Sequence, residues 1–168
     1  NQPLHVQYAV YMNNLLHGDL GMSMKKPGVS VNEILAQGAG ISGKMGVLAF
    51  AAALLSGTVL GAVQATTQRT WVKRGILLWQ SAGMGIPNFV VALLLLFVFA
   101  VTLGWLPPAG ITEPENYVLP VAALAVYPSC VISKILCTAA ETEKRSGYVK
   151  FLRAQGMTRG RIFAGHLL

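Results

Sequence analysis

The sequence predicts an all-α polytopic membrane protein with about three complete transmembrane helices. Two observations carry that expectation. Hydrophobic residues make up 54% of the 168 residues and charged residues only 11%, whereas soluble domains carry roughly 25% charged residues. Mean hydropathy is +0.55. Long uncharged runs also alternate with short polar or basic segments, the pattern of a chain that repeatedly enters and leaves a bilayer. The net charge of +7 does not point to nucleic acid, because the basic residues fall in two clusters between apolar runs rather than over a polar surface.

The elements follow in chain order. Leu4, Tyr8, Tyr11 and Leu15 recur at helical spacing, which predicts a short amphipathic helix over residues 4–17. Gly18 ends it. Ser30 with Glu33 reads as a capping box before a second helix. Residues 1–40 are therefore expected to form a small extramembranous segment without chemistry of its own. Residues 45–66, MGVLAFAAALLSGTVLGAVQAT, hold no charge. At ~1.5 Å per residue they reach roughly 33 Å, enough to cross a hydrocarbon core of about 30 Å. Within them Gly57 and Gly61 form a GxxxG pair, a face on which another membrane helix can pack closely.

A second uncharged run covers residues 76–103 and is interrupted by GMGIPNF at 83–89. Pro87 removes a backbone donor and clashes with the preceding turn, so a kink or break is expected there. A break at membrane depth is tolerated where it is buried in protein or lines a watery cavity. Pro87 and Asn88 are therefore candidates for a translocation path, with a kink used only for packing as the alternative. The turn-rich segment 103–117 follows, with Trp105 placed as an interfacial anchor. The third span covers residues 118–140, with Pro120, Pro128 and a single charge, Lys134. An intramembrane lysine is costly and raises a functional hypothesis, so Lys134 joins the path candidates. It also lies two turns from the end of the span, where it can snorkel to the interface.

Charge sets the expected orientation. The loop at 68–75 carries Arg69, Lys73 and Arg74, and residues 141–161 carry Lys144, Arg145, Lys150, Arg153, Arg159 and Arg161. The loop at 104–117 has no Lys or Arg and carries Glu113 and Glu115. The positive-inside rule then puts both basic loops in the cytoplasm and residues 1–40 and 104–117 outside, with Lys25 and Lys26 against the trend.

Several chemistries find no support. The two cysteines, Cys130 and Cys137, are seven apart on one helical face, too distant along the axis to bond each other. His5, His17 and His166 are scattered, so neither a metal nor another cofactor is expected. There is no HExxH, no Ser/His/Asp set, no pair of carboxylates within a span and no phosphate-cradling glycine loop. A chain of this kind is not expected to hydrolyse ATP itself. Composition alone leaves an ion channel open.

The stretch ETEKRSGYVKFLRAQGMTRGRIFAGH, residues 141–166, is the most informative. It is basic and polar, and it follows one apolar run and leads into another. Residues 147–155 can form a short helix on the membrane surface, Gly156 can turn the chain as a C-cap, and Thr158 can cap the next helix. By its physics alone such a segment could equally be a basic helix bound to anionic lipid. Tyr148, Val149, Arg153, Ala154, Gly156, Ile162 and His166 give it a sharper meaning. In that register the stretch resembles the cytoplasmic coupling loop, the EAA loop, of ABC importer membrane subunits of the oligopeptide/dipeptide family. LLHGDLGMS at 15–23 and GWLPPAG at 104–110 resemble further segments of the same permeases. The chain departs from the family pattern at Gly147, where an acidic residue is usual, and at Phe151 and Leu152, where small residues are usual.

The resemblance implies a permease domain over residues 41–168, with the coupling loop at 141–161 and a further span starting at 162–168. It implies that Tyr148, Arg153, Ala154, Gly156 and Arg159 meet an ATPase. It also implies partners: ATP-binding subunits, a second homologous permease subunit and an extracytoplasmic binding protein, with this chain itself a multi-pass protein of the cytoplasmic (inner) membrane of a bacterium or archaeon. The cargo would be peptides or, in one branch, nickel chelates. Because the chain starts at Asn1 without Met or a signal peptide and stops within an apolar run, it is expected to be part of a longer subunit, and the resemblance implies one span before it and about two after it.

Overall fold

The structure is a computed structural model that describes residues 2–110, 112–143 and 155–157. Five α-helices are present among them. They are α1 (Leu4–Leu16), α2 (Val31–Thr66), α3 (Thr70–Gly85), α4 (Asn88–Leu95) and α5 (Val118–Glu143). A π-helical turn, Leu96–Thr102, continues α4, and a short 3₁₀ turn, Pro114–Tyr117, leads into α5. The chain divides into two compact units, Asn1–Lys44 and Met45–Leu168.

In the first unit α1 forms where the spacing of Leu4, Tyr8, Tyr11 and Leu15 predicts it. Gly18 ends it in the left-handed region at φ 81°, a conformation that costs glycine nothing. None of the helix is buried, and Leu4 and Tyr8 are exposed. The turn after it is held by Asn32. Its Oδ1 accepts the Leu20 N–H at 2.9 Å, and its Nδ2 donates to the Gly18 carbonyl. Asp19 Oδ1 accepts the Gly21 N–H at 2.8 Å, an Asx turn of the kind aspartate favours. The sequence Gly-Asp-Leu-Gly is thereby a fixed loop, closed by Val31 N–H to Gly21 O at 2.9 Å and by an antiparallel bridge between Met22 and Ser30. Ser30 does cap α2, but its Oγ accepts from the Asn32 N–H at 3.2 Å. The bond thus falls one residue earlier than a capping box places it.

Helix α2 runs for 36 residues, about 54 Å at the α-helical rise. It begins well before the expected span at residue 45. Hydropathy marks where a helix enters the bilayer, not where its backbone pattern starts, and Glu33 and Lys44 are no obstacle to a helix in water. The apolar part of α2 and the whole of Pro114–Glu143 are each long and apolar enough to cross a membrane. The expected span at 76–103 has a different form. It starts at Thr70 as α3, breaks at Ile86–Pro87, and resumes as the Asn88–Thr102 arm with a bend of 110°. The two arms make a third crossing only when counted together. Proline at 87 explains the break: it has no N–H to continue α3, and its fixed φ suits the residue preceding the first turn of a new helix. Pro128, by contrast, sits inside α5 without ending it.

Candidate functional site

The second unit is built on small residues. Gly57 and Gly61 of α2 are buried against α5. A Cβ on Gly57 would lie 2.7 Å from the Ser129 carbonyl oxygen, and one on Gly61 would lie 2.8 Å from that of Ser133. The GxxxG pair is thus a close-approach face, as its spacing predicts. Gly83 plays the same part for α3, because a Cβ there would collide with Cys130 Sγ. Ala53, Ala65, Ala123, Ala125 and Ala140 complete a core of mostly small side chains. Cys130 and Cys137 are both buried within it, with no disulfide.

One polar group crosses this core. Gln80 of α3 is 1% exposed. Its Nε2 donates to Gln64 Oε1 of α2 at 2.7 Å and to Ser133 Oγ of α5 at 2.8 Å. Both amide hydrogens are used, and three helices are tied at one point. The sequence does carry a signal for this knot. Gln64 and Gln80 are amides inside runs that otherwise hold no charge, and such groups need partners away from water. Which partners they find is set by sequence separations of 16 and 53 residues, beyond any local pattern. Gln80→Leu leaves two acceptors in the core without their donor. It is expected to destabilise the subunit by about 1–3 kcal/mol, seen as a lower melting midpoint in detergent. Replacing all three groups with apolar residues should recover most of that loss, because no unpaired acceptor remains. A Gln80→Leu variant with an unchanged midpoint would remove the knot from the account of stability.

The break between α3 and α4 faces α5. Met84, Gly85, Ile86, Pro87 and Asn88 line an open depression of about 390 Å³, closed on one side by Tyr127. Pro87 and Asn88, both expected on a translocation path, are brought together here. Tyr127 was not singled out by its sequence, and it is drawn in because α5 packs beside the elbow. Lys134 is not part of the depression. It is exposed, one residue after buried Ser133. A separation of seven puts it on the same face of α5 as Tyr127, about 10 Å along the axis. Its exposure is compatible with the snorkelling role.

Of the expected coupling residues only Gly156 lies among those described. It occupies a turn at φ 84°, the left-handed conformation expected of a C-cap, and among the described residues nothing lies within 4 Å of the position a Cβ would take. Tyr148, Arg153, Ala154 and Arg159 lie outside the described residues. Among the described residues no cluster of His, Cys, Asp and Glu has the arrangement to hold a metal ion.

On the other side of the second unit the loop after α4 is ordered by its own contacts. The Trp105 and Leu106 N–H groups both reach Phe99 O, at 2.9 and 3.3 Å, and the Phe99 and Trp105 rings lie 6.0 Å apart. Trp105 stays exposed, as an interfacial anchor must.

Residues 57–168 match the family described as binding-protein-dependent transport system inner membrane component. The whole chain is 34% identical to the dipeptide transport system permease protein DppB of Bacillus subtilis, covering 54% of that protein. It is 33% identical to the oligopeptide transport system permease protein OppB of Haemophilus influenzae and 34% identical to OppB of Escherichia coli K12, covering 56% of each. The chain thus spans about half the length of the curated relatives it matches.

Proposed function

The chain belongs to the family of binding-protein-dependent transport system inner membrane components, and we propose that it is part of the membrane subunit of an ATP-driven importer of peptides. The observation that carries this reading is the extent of the likeness. All of the chain, from its first turn through the 141–161 loop, aligns with permeases named for dipeptide and oligopeptide transport. Nickel chelates or another small solute find no such support among these relatives.

In this reading the apolar helices sit in the cytoplasmic membrane, with the basic loops at 68–75 and 141–161 inside. The pathway is shared with a second homologous permease subunit, and an extracytoplasmic binding protein delivers the cargo. ATP hydrolysis resides in partner subunits, which push on the 141–161 loop through Tyr148, Arg153, Ala154, Gly156 and Arg159. Pro87 and Asn88 line the path, and Lys134 is the remaining candidate for it.

The test is reconstitution of the full-length subunit in liposomes with its permease partner, ATP-binding subunits and binding protein. Labelled di- and oligopeptides should accumulate only with ATP, and omission of the ATP-binding subunits should abolish uptake. Failure to accumulate any peptide, with uptake of a different solute instead, would overturn the proposal.

A further inference from the structure

The elbow at Ile86–Pro87 leaves backbone groups open. Pro87 offers no N–H, and the α3 hydrogen bonds end with Ile86 N–H to Ala82 O at 2.9 Å. Among the described residues the carbonyls of Gly83, Met84, Gly85 and Ile86 then receive no backbone N–H. The first bonds of α4 run from Val90 and Val91 to Pro87 O, at 2.9 and 3.2 Å. The N–H groups of Asn88 and Phe89 therefore find no backbone acceptor among the described residues. Four of these groups, the Met84, Gly85 and Ile86 carbonyls and the Asn88 N–H, belong to residues that line the depression beside Tyr127.

Depth makes this consequential. Tyr127 lies about 14 Å along α5 from Val118 and about 24 Å from Glu143, inside the segment long enough to cross the membrane. In hydrocarbon each unpaired main-chain group would cost several kcal/mol. The elbow must therefore face water or polar groups rather than lipid tails. Its depression of about 390 Å³ is of the size that holds a small ligand. What it offers is a set of amide donors and acceptors with one aromatic wall. That set is complementary to the main chain of a peptide and indifferent to its side chains.

We infer that the elbow is a wet station on the path, where the main chain of a passing peptide exchanges hydrogen bonds with the Met84–Asn88 backbone and with the Asn88 side chain, against the face of Tyr127. This rests on the import role proposed above. It adds Tyr127 as a cargo-contacting residue and makes the contact independent of peptide sequence.

The test uses the full-length subunit in its reconstituted complex, with Cys130 and Cys137 replaced by serine. Asn88→Cys and Tyr127→Cys are each exposed to a membrane-impermeant cationic thiol reagent, with Phe97→Cys on the other arm as the comparison. A thiol in water ionises and reacts, whereas one in hydrocarbon stays protonated. Labelling at 88 and 127 should therefore be at least about tenfold faster than at 97, one unit of pKa or more in thiolate fraction. Trialanine should slow labelling at both positions. Tyr127→Ala, which removes the aromatic wall, should lower peptide uptake, and Tyr127→Phe, which keeps it, should not. Slow labelling at both positions in a complex that still imports peptide would overturn the station and leave the import role standing. So would fast labelling that trialanine does not affect, or unchanged uptake by Tyr127→Ala. Absence of peptide uptake in the parent complex would instead count against the import role.

Discussion

Gly57→Val and Gly61→Val will each drive α2 away from α5, and the double variant will show the largest loss of stability of any substitution in the described core. The reason is that the atoms in the way cannot move aside. A Cβ at Gly57 would meet the Ser129 carbonyl oxygen at 2.7 Å and Ile132 Cβ at 2.9 Å; one at Gly61 would meet the Ser133 oxygen at 2.8 Å and Leu136 Cβ at 3.0 Å. These are backbone oxygens and Cβ atoms of α5, not flexible side-chain ends, and valine's two methyl groups worsen both clashes. Overpacking of this kind costs about 1–3 kcal/mol per site. Separation of the helices adds a second loss. Gln64 lies one turn beyond Gly61 and shares the Gln80 amide with Ser133, so opening the α2–α5 seam also strains the polar knot. The melting midpoint of the full-length subunit in detergent should fall for each single variant and fall further for the pair. Gly46→Val supplies the comparison on the same helix. Its Cβ would meet nothing within 4 Å, and valine is a somewhat better helix former than glycine, so its midpoint should be unchanged or slightly higher. If Gly57→Val melts like Gly46→Val, the close approach of α2 to α5 is wrong.

What the sequence made legible, and what it did not, divides along one physical line. Features set by local composition were readable. Uncharged runs located the helices at 45–66 and 118–140, Gly18 located the end of α1, the GxxxG spacing located a packing face, and Pro87 located a break. Features set by tertiary partners were not. Proline dictates that α3 stops, but the 110° bend is fixed by how both arms lie on α5, which no spacing records. Gln64 and Gln80 were visible as polar residues in apolar runs, yet their meeting with Ser133 depends on three helices converging. Tyr127 gave no signal, because an aromatic residue in an apolar helix is ordinary until an elbow is packed beside it. Asn32 was hidden for a related reason. Exposed asparagines are common, and only the return of the chain over Gly18–Gly21 makes this one an anchor. Ser30 marked a helix start at Val31, but that this helix runs unbroken into the span at 45–66 was not readable, because hydropathy reports the bilayer and not the helix.

Gly156→Val, made in the full-length subunit, is expected to leave the protein in the membrane at its normal level while weakening its hold on the ATP-binding subunits. The site allows an unusually clean reading. Gly156 sits at φ 84°, and no heavy atom of the described residues lies within 4 Å of the position a Cβ would take. Among the described residues a larger side chain therefore meets no clash, and the effect expected comes from the backbone. A β-branched residue in the left-handed region is a genuine outlier, at a cost of about 1–2 kcal/mol. The chain can escape that cost by changing the turn and with it the direction of whatever precedes and follows. If residues 147–155 are the lever on which the ATPase pushes, a changed turn misdirects the lever. Co-purification of the ATP-binding subunits should then fall by about 5–30-fold, the equilibrium equivalent of that strain, and transport should fall with it. The backbone origin can be checked by grading the substitution. Asparagine tolerates left-handed dihedrals and should retain most of the partnership, alanine should be intermediate and valine worst. A lipid-bound basic helix would respond to a different change. It would lose membrane affinity when Lys150, Arg153 and Arg159 are neutralised together, and Gly156→Val would leave ATPase retention as it was. Normal ATPase retention and normal transport by Gly156→Val, with no ordering across the asparagine, alanine and valine series, would remove the coupling role from this loop.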